Sequence, residues 1–271
     1  MFVYHSRFLR RGEVWFDNEP TGERVDWIFY RNRSKPPRRA KSRPFYNRLI
    51  DLSKTSEQLL SEMESRTVAK IEAAGNEDKI SCEWKTITNA TQLEEVEGMW
   101  NQSIDAKRRW GKFNGEWLGE MIRASALELS VAREPSGALV VSGCLFRDKY
   151  RVQQLMIVSP PQTAPTPAVR ARTNRASCYL LWNTLVRLKE QGVRHFDFGG
   201  WYPGTEDIQL LGSNAFKKSF GGEVICEYEC EQIVSLKGWA MLTAARLMER
   251  AREFRLKDFK ICESRPDEAT A

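Results

Sequence analysis

The hydrophobic pattern is densest between residues 175 and 223. A helix is predicted at the start of this segment, because apolar residues recur at intervals of three and four and extend almost around it: Cys178, Tyr179, Leu180, Leu181, Trp182, Leu185, Val186 and Leu188. A helix apolar so far round is normally buried. Residues 193–198 alternate between two faces, which predicts a strand. Gly199 and Gly200 follow and allow a second backbone or a ligand to approach closely, although they also fit an ordinary tight turn.

The rest of the chain predicts further strands and helices. Strands are predicted at 2–8, 13–16, 25–30, 49–53, 80–87, 127–133, 138–147, 149–158 and 223–232, and helices at 55–74, 89–104, 115–126 and 236–257. Residues 31–44 contain seven basic residues and three prolines without an acid, so we expect a loop there. A second loop is expected at 159–174. On 223–232 the glutamates lie opposite the apolar residues, which predicts a solvated glutamate face.

A set of short motifs carries a resemblance to a known family. The motifs are Leu180-Leu181-Trp182, Phe196-Asp197-Phe198-Gly199-Gly200, Phe216-Lys217 and Phe220-Gly221-Gly222. Together they resemble the second half of the GNAT acyltransferase fold, in the branch of the Fem-type (FemAB-like) peptidoglycan aminoacyl ligases. The predicted order of strands and helices agrees with that fold.

This resemblance implies a fold class and a division of the chain. We expect an α/β, GNAT-like (acyl-CoA N-acyltransferase) fold with a mixed, mostly antiparallel central sheet flanked by helices. Residues 1–47 are expected to form an N-terminal strand extension and basic loop, residues 48–232 the transferase domain, and residues 233–271 a C-terminal amphipathic helix and frayed tail. Fem-type ligases usually contain two such domains, and 271 residues have room for about one and part of a second.

Composition and charge narrow the expected partners. No apolar run approaches the roughly 20 residues of a membrane span, and the N-terminus lacks a secretory signal pattern. We therefore expect a cytoplasmic protein, whose basic tail helix either packs on the body or makes peripheral membrane contact. Six dispersed cysteines and two histidines make a metal site improbable. The net charge of +6 suits an anionic partner, but it does not distinguish CoA, a nucleotide-linked substrate, tRNA and a membrane surface.

The resemblance also implies a donor site at the start of the buried helix, which we expect at residues 173–177. Unpaired backbone N–H groups at a helix N-terminus suit a phosphate. The candidate donor-binding residues are Arg172, Asn174, Arg175, Ser177 and Phe216. Solvent-facing side chains remain an equally good interpretation of the two arginines. The segment between Ser159 and Gly192 has no glycine, whereas acetyl-CoA-dependent members carry a glycine-rich run here, which counts against ordinary acetyl-CoA use.

Catalytic and acceptor-binding candidates follow from the same motifs. By resemblance to Fem-type ligases, Lys217 is expected to stabilise charge at the transferred ester. Asp197 is a candidate proton acceptor, with a structural role towards the amides of the glycine turn as its alternative. The candidate acceptor-binding residues are Trp110, Gly199, Gly200, Trp201 and Tyr202, although loop aromatics are also often edges of a core.

These observations lead to one main functional hypothesis. We expect an N-acyltransferase or aminoacyltransferase that forms an amide on an amino group, as in amino sugars of polysaccharide or peptidoglycan (cell-wall) precursors. It would use acyl-CoA or aminoacyl-tRNA as co-substrate, with no permanently bound cofactor. Plain acetylation from acetyl-CoA is an alternative. A second alternative is a non-catalytic GNAT-like scaffold that binds nucleic acid through the basic residues 31–43.

Overall fold

The computed structural model describes residues 1–6, 8–89, 91–92, 94, 98, 101, 115–159 and 166–244. The strands are β1 (Phe2–Ser6), β2 (Leu9–Trp15), β3 (Trp27–Arg33), β4 (Lys41–Asp51), β5 (Ser81–Thr86), β6 (Leu127–Arg133), β7 (Leu139–Arg147), β8 (Arg151–Val158), β9 (His195–Gly200) and β10 (Glu223–Ile233). The helices are α1 (Ser56–Ser61), α2 (Ser65–Asn76), α3 (Gly115–Arg123), α4 (Pro167–Glu190) and α5 (Ile208–Lys218), and residues 236–244 are also helical.

The chain divides into two compact units. The terminal unit contains Met1, Val3–Ser42 and the chain from Glu229 onward, and the central unit contains Phe2 and Arg43–Tyr228. The chain therefore passes from one unit to the other within β4 and within β10.

The central unit is built on a mostly antiparallel sheet with the strand order β10-β4-β9-β8-β7-β6-β5. The pairs β5–β6, β6–β7, β7–β8 and β4–β9 are antiparallel, and β8 and β9 are parallel because the long helix α4 connects them. The predicted meander of three strands is confirmed as β6, β7 and β8. This arrangement confirms the predicted GNAT-like α/β fold.

The main core of the central unit forms where helices pack on the middle of its sheet. Its buried residues include Ile50, Leu59, Ile71, Leu145, Val152, Leu181, Leu185, Phe196, Phe198 and Phe220. Burying each such side chain stabilises the fold by about 1.5–3 kcal/mol. Phe198 packs against both Phe196 and Phe220, at centroid distances of 5.0 and 5.6 Å. These contacts anchor β9, which contains Asp197, and the segment after α5, which follows Lys217. They therefore fix the chain next to both predicted catalytic residues.

The terminal unit corrects the expectation that residues 31–44 form one loop. Arg31 and Arg33 belong to β3, and β4 already begins at Lys41, so the connection covers only residues 34–40. β3 pairs with β2 in parallel. The Arg31 guanidinium donates to the buried Glu13 carboxylate at 2.6 Å. The composition of residues 31–44 did not reveal that Arg31 belongs to a strand, because its acidic partner Glu13 lies 18 residues earlier in the chain.

Two helix boundaries also differ from the expectation. The helix predicted at 55–74 is two helices, and α1 begins with a capping box in which Thr55 and Gln58 exchange hydrogen bonds. The prediction of a loop at 159–174 is wrong from residue 167 onward. Helix α4 begins at Pro167, where proline at the first turn and a Thr166 side chain that accepts from the Val169 N–H start a helix favourably. Most side chains of its first turns are not buried, so hydrophobic periodicity gave no signal there.

Substituting Gly222 by alanine is expected to lower the free energy of unfolding by about 2 kcal/mol or more. Gly222 has φ +71°, and an added Cβ would lie 2.2 Å from the Leu49 carbonyl oxygen, a backbone atom that cannot move aside. Gly212→Ala is the matched control, because a Cβ at this exposed position inside α5 meets nothing within 4 Å. That control should gain about 0.5–1 kcal/mol. Urea unfolding of both variants measures the difference, and equal effects would contradict the tight approach.

Candidate functional site

The pairing between β8 and β9 ends partway along both strands. The last backbone pair joins Gln153 to Asp197, whereas β8 continues to Val158 and β9 to Gly200. Each strand also carries an extra residue just beyond that pair. Leu155 is the extra residue of β8 against β7, and two residues of β9, 198 and 199, together face the single residue 48 of β4. Such bulges bend and twist a strand locally, and here they accompany the end of pairing.

The bulge in β9 depends on Gly199 and on Asp197. Gly199 has φ +70°, which glycine adopts without the steric cost of a side chain. Its backbone N–H donates to Asp197 Oδ1 at 2.7 Å, so the carboxylate holds the bulge in place from inside the sheet. Asp197 is fully buried. This contact is the structural alternative that the sequence had left open for Asp197.

Asp197 also belongs to a buried ion network that the sequence did not predict. The Arg151 guanidinium donates to Asp197 Oδ2 at 2.7 Å from Nη2, and to the two carboxylate oxygens of Glu227 at 2.5 and 2.7 Å. Asn47 Nδ2 donates to Glu227 at 2.7 Å. Burial raises the pKa of Asp197, and the Arg151 guanidinium acts in the opposite direction. One arginine is therefore shared by two carboxylates.

The expectation of a solvated glutamate face on β10 is wrong at its centre. Glu227 and Glu229 are each 6% exposed, whereas Cys226 on the other face is exposed. Glu227 faces Arg151, and Glu229 receives the Arg31 guanidinium at 3.4 Å within the terminal unit. Buried carboxylates of this kind need a paired cation. An alternation of glutamates with apolar residues could have signalled buried ion pairs, but their arginine partners lie far away in the sequence.

Lys217 is brought to the end of β9 by the last turn of α5. Its Nζ donates to the Gly200 carbonyl oxygen at 2.5 Å and to that of Gly199 at 3.3 Å. Burial lowers the pKa of Lys217 to about 8, while the negative charge of Asp197 partly opposes the shift. No described side chain forms a salt bridge with Lys217. An ammonium group has three N–H donors, so one remains after the two carbonyl contacts.

The loop after β9 is tied to α5. Asn214 accepts from the Tyr202 N–H at 3.1 Å and donates to the Tyr202 carbonyl at 2.7 Å. The N–H of Trp201 donates to the Tyr46 carbonyl at 2.6 Å. The structure thus brings together Asp197, Gly199, Gly200, Trp201, Tyr202 and Lys217, all predicted as site residues. Of the acceptor-binding candidates, Trp110 lies outside the described residues.

The predicted donor-binding residues on α4 are not at a helix N-terminus, because α4 begins at Pro167. Residues 173–177 lie well inside the helix, where backbone N–H groups are engaged in helical hydrogen bonds. Arg175 donates two hydrogen bonds to Asp78, at 2.6 and 2.7 Å, and Arg172 is 2.9 Å from the Glu134 carboxylate. The expectation of an anion site formed by this helix start is therefore wrong.

The other donor candidates also have local partners. Ser177 Oγ donates to the Thr173 carbonyl at 2.8 Å, and Asn174 accepts a weak contact from the Cys178 thiol at 3.7 Å. Phe216 packs at the edge of the main core, with its ring centroid 5.4 Å from that of Phe220. The structure thus gives Phe216 a packing role immediately before Lys217.

In the described part of the chain, no group of three or more His, Cys, Asp and Glu side chains is placed to hold a metal ion. None of the helices in these ranges is long and apolar enough to cross a membrane.

Comparison with known proteins gives a match at the level of the fold. No protein-family model matches the sequence, and no curated protein matches it significantly. Among solved structures, FemX superposes with a TM-score of 0.55 at 12% sequence identity, over 72% of this chain and 63% of the FemX chain. The chain thus spans less than two thirds of the length of FemX. L-PGS from Bacillus licheniformis matches with a TM-score of 0.47 at 12% identity, over 82% of this chain and 73% of that one. The protein therefore has the GNAT-like fold and shares it with FemX, a protein of the Fem-type branch that its sequence motifs resemble.

Proposed function

We propose that the protein is a transferase that moves an acyl or aminoacyl group from a thioester or ester onto an amino group, forming an amide. The observation that carries the proposal is the position of Lys217. Its partly desolvated amino group lies at the end of β9, beside the point where β8 and β9 stop pairing. A cationic donor in such a place suits a negative charge that develops on a carbonyl oxygen.

The reaction balances without a metal ion or an enzyme-bound intermediate. The neutral amine of the acceptor attacks the acyl carbon, and the carbonyl π electrons move to the oxygen. Lys217 donates its remaining N–H to that oxyanion. Collapse of the intermediate expels a thiolate or an alkoxide, and the proton lost by the amine ends on this leaving group.

Asp197 has a positioning role in this proposal. Its Oδ1 holds the Gly199 N–H and its Oδ2 receives the Arg151 guanidinium, so both oxygens are engaged inside the protein. A buried carboxylate bound in this way orients the Gly199 and Gly200 carbonyls, which in turn hold the Lys217 amino group. Acceptor contacts are assigned to Gly199, Gly200, Trp201 and Tyr202, which line the same strand end.

The substrate classes follow from the sequence resemblance. The donor is acyl-CoA or aminoacyl-tRNA, bound only as a co-substrate, and the acceptor is an amino sugar or another amine of a polysaccharide or peptidoglycan precursor. A cytoplasmic location and a peripheral contact with the membrane that carries such precursors fit this role. Nothing favours the nucleic-acid scaffold. Arg31 and Arg33, two of the arginines on which that alternative depended, pair with Glu13, Asp17 and Glu19 in the terminal unit.

A donor screen by thermal shift tests the proposal. We expect one donor among acetyl-CoA, longer acyl-CoAs and aminoacyl-tRNA to raise the melting temperature, because a ligand at 100 times its Kd stabilises the folded state by about 2.7 kcal/mol. CoA and uncharged tRNA are the matched controls. With the stabilising donor and an amino sugar, mass spectrometry should detect a new amide. Equal stabilisation by charged and uncharged tRNA with no amide product would instead favour the nucleic-acid scaffold.

A further inference from the structure

Arg48 is a buried arginine whose hydrogen bonds go to backbone carbonyls. The residue is 8% exposed and lies on β4 opposite the bulge of β9. Its Nε donates to the Gly221 carbonyl oxygen at 2.7 Å, and its Nη2 donates to that of Gly222 at 2.9 Å. Both glycines have positive φ, +82° and +71°, and this conformation places two successive carbonyls along one edge of the guanidinium.

The charge of Arg48 is not neutralised by a neighbouring carboxylate. No Asp or Glu of the described residues forms a salt bridge with it, in contrast to Arg151, Arg175 and Arg31. Burial lowers the pKa of Arg48. The guanidinium is partly desolvated and has no anionic partner among the described residues, so an anionic group that enters the site would gain a charge-assisted hydrogen bond.

The guanidinium of Arg48 also has an edge that the protein leaves available. The Nε and Nη2 edge is engaged by the two carbonyls, while Nη1 donates to no described residue. The end-on edge of the guanidinium consists of Nη1 and the second N–H of Nη2. This edge can donate two parallel hydrogen bonds to a carboxylate or a phosphate. The Trp201 ring covers the guanidinium, with the ring centroid 5.2 Å from the central carbon, and holds its plane in place.

Arg48 lies on the opposite side of β9 from the interrupted pairing with β8. In the strand order, β4 and β8 flank β9 on opposite sides. The interrupted pairing lies between β8 and β9, whereas Arg48 lies across β9 on β4. Lys217 contacts the last two carbonyls of β9, and Trp201 is the residue that follows them. A ligand held at Arg48 and Trp201 thus approaches Lys217 from the side away from β8.

We propose that Arg48 and Trp201 bind an anionic group of the acceptor, so that the acceptor is an amine that also carries a carboxylate or a phosphate. This inference rests on the proposed transferase function. The anionic group anchors the acceptor at β4 and directs its amine towards the acyl carbon beside Lys217. An amine without such a group would lose this anchor and bind more weakly.

Binding of matched small amines tests the inference without a donor. β-Alanine is compared with β-alaninamide, and O-phosphoethanolamine with ethanolamine, by calorimetry and by thermal shift at low ionic strength. We expect at least one anionic amine to bind about tenfold or more tightly than its partner, since hydrogen bonds to a charged group are worth one factor of ten or more in affinity. The first pair reports on a carboxylate and the second on a phosphate.

Variants test whether Arg48 and Trp201 cause the preference for the anionic amines. Arg48→Gln should abolish the difference within each pair, and Trp201→Leu should weaken it if Arg48→Gln fails to fold. Arg194→Gln is the matched control, because this exposed arginine also lies over an aromatic ring, 5.4 Å from the centroid of Tyr150, but at the other end of β9. A wild type that does not distinguish the amines, or an Arg48→Gln variant that still does, overturns the inference. Arg48-dependent binding without transfer from any donor would contradict the transferase proposal and leave the anion site standing.

Discussion

Replacing Lys217 by methionine is expected to lower the rate of transfer by about 10²–10³-fold, the usual loss when one donor to an oxyanion is removed. Methionine keeps a similar apolar stem beside Phe216 and the core but has no N–H to offer. The effect should fall on kcat, because the oxyanion exists only during the reaction, while the KM values for donor and acceptor stay nearly constant. Steady-state kinetics with the donor identified by thermal shift measures both parameters.

The pH dependence of the rate identifies which form of Lys217 acts. Since burial lowers its pKa to about 8, the ammonium form declines as the pH rises through 8. If the cation stabilises the oxyanion, the rate of the wild type should fall above about pH 8. Lys217→Arg should keep its charge and extend activity to higher pH, because an arginine stays protonated. A rate that rises through pH 8, with an inactive arginine variant, would instead indicate that the neutral amine acts as a base.

The contribution of Lys217 to stability should change with pH in the opposite direction from its contribution to activity. The folded-state pKa of Lys217 is about 8 and its ordinary value is 10.5, so between these values only the unfolded chain binds the proton. The contribution of Lys217 to the stability of the wild type therefore increases as the pH rises from about 8 to 10.5, and Lys217→Met lacks this contribution. The difference in unfolding free energy between variant and wild type should shrink over this range. A difference that stays constant would show that Lys217 is not desolvated in the folded protein.

The part of the site that the sequence predicted is the part encoded by local pattern. β9 follows from strand alternation over a short segment, and its residues Asp197, Gly199 and Gly200 lie beside Lys217, which the Phe216-Lys217 motif had singled out by resemblance. Gly199 and Gly200 predicted that a second backbone or a ligand approaches closely, and in the structure Gly199 forms part of the bulge in β9. These features need no knowledge of distant partners.

The features that the sequence did not predict depend on partners far away along the chain. Arg151 and Glu227 are separated by 76 residues, and Arg48 and Gly221 by 173. An arginine in an apolar strand and a glutamate in an alternating strand are each compatible with a solvated surface. Only their meeting inside the sheet turns them into a buried network. The start of α4 was missed for a different reason, because its exposed first turns carry no hydrophobic period.

Replacing Arg151 by methionine is expected to cost about 3–5 kcal/mol of unfolding free energy, because it leaves the carboxylates of Asp197 and Glu227 buried without their shared cation. The two carboxylates would then repel each other at exposures of 0% and 6%. Urea unfolding measures the loss. Arg123→Met is the matched control, since its partner Glu120 lies on the surface of α3 and the arginine is 67% exposed. That change should stay within about 1 kcal/mol.

The pH dependence of the Arg151→Met variant distinguishes lost charge pairing from lost packing. Without the opposing guanidinium, burial raises the pKa of Asp197 in the folded state, so the folded variant binds this proton more tightly than the unfolded chain. Stability is then lost as the pH rises through the pKa of Asp197 in the folded variant, and the deficit against the wild type should be smaller at pH 5 than at pH 7. Adding Asp197→Asn and Glu227→Gln should recover much of the loss at pH 7, because neutral amides no longer need a cation. A deficit that is independent of pH and unchanged in the triple variant would assign the role of Arg151 to packing, and Lys217 would then owe its position to α5 alone.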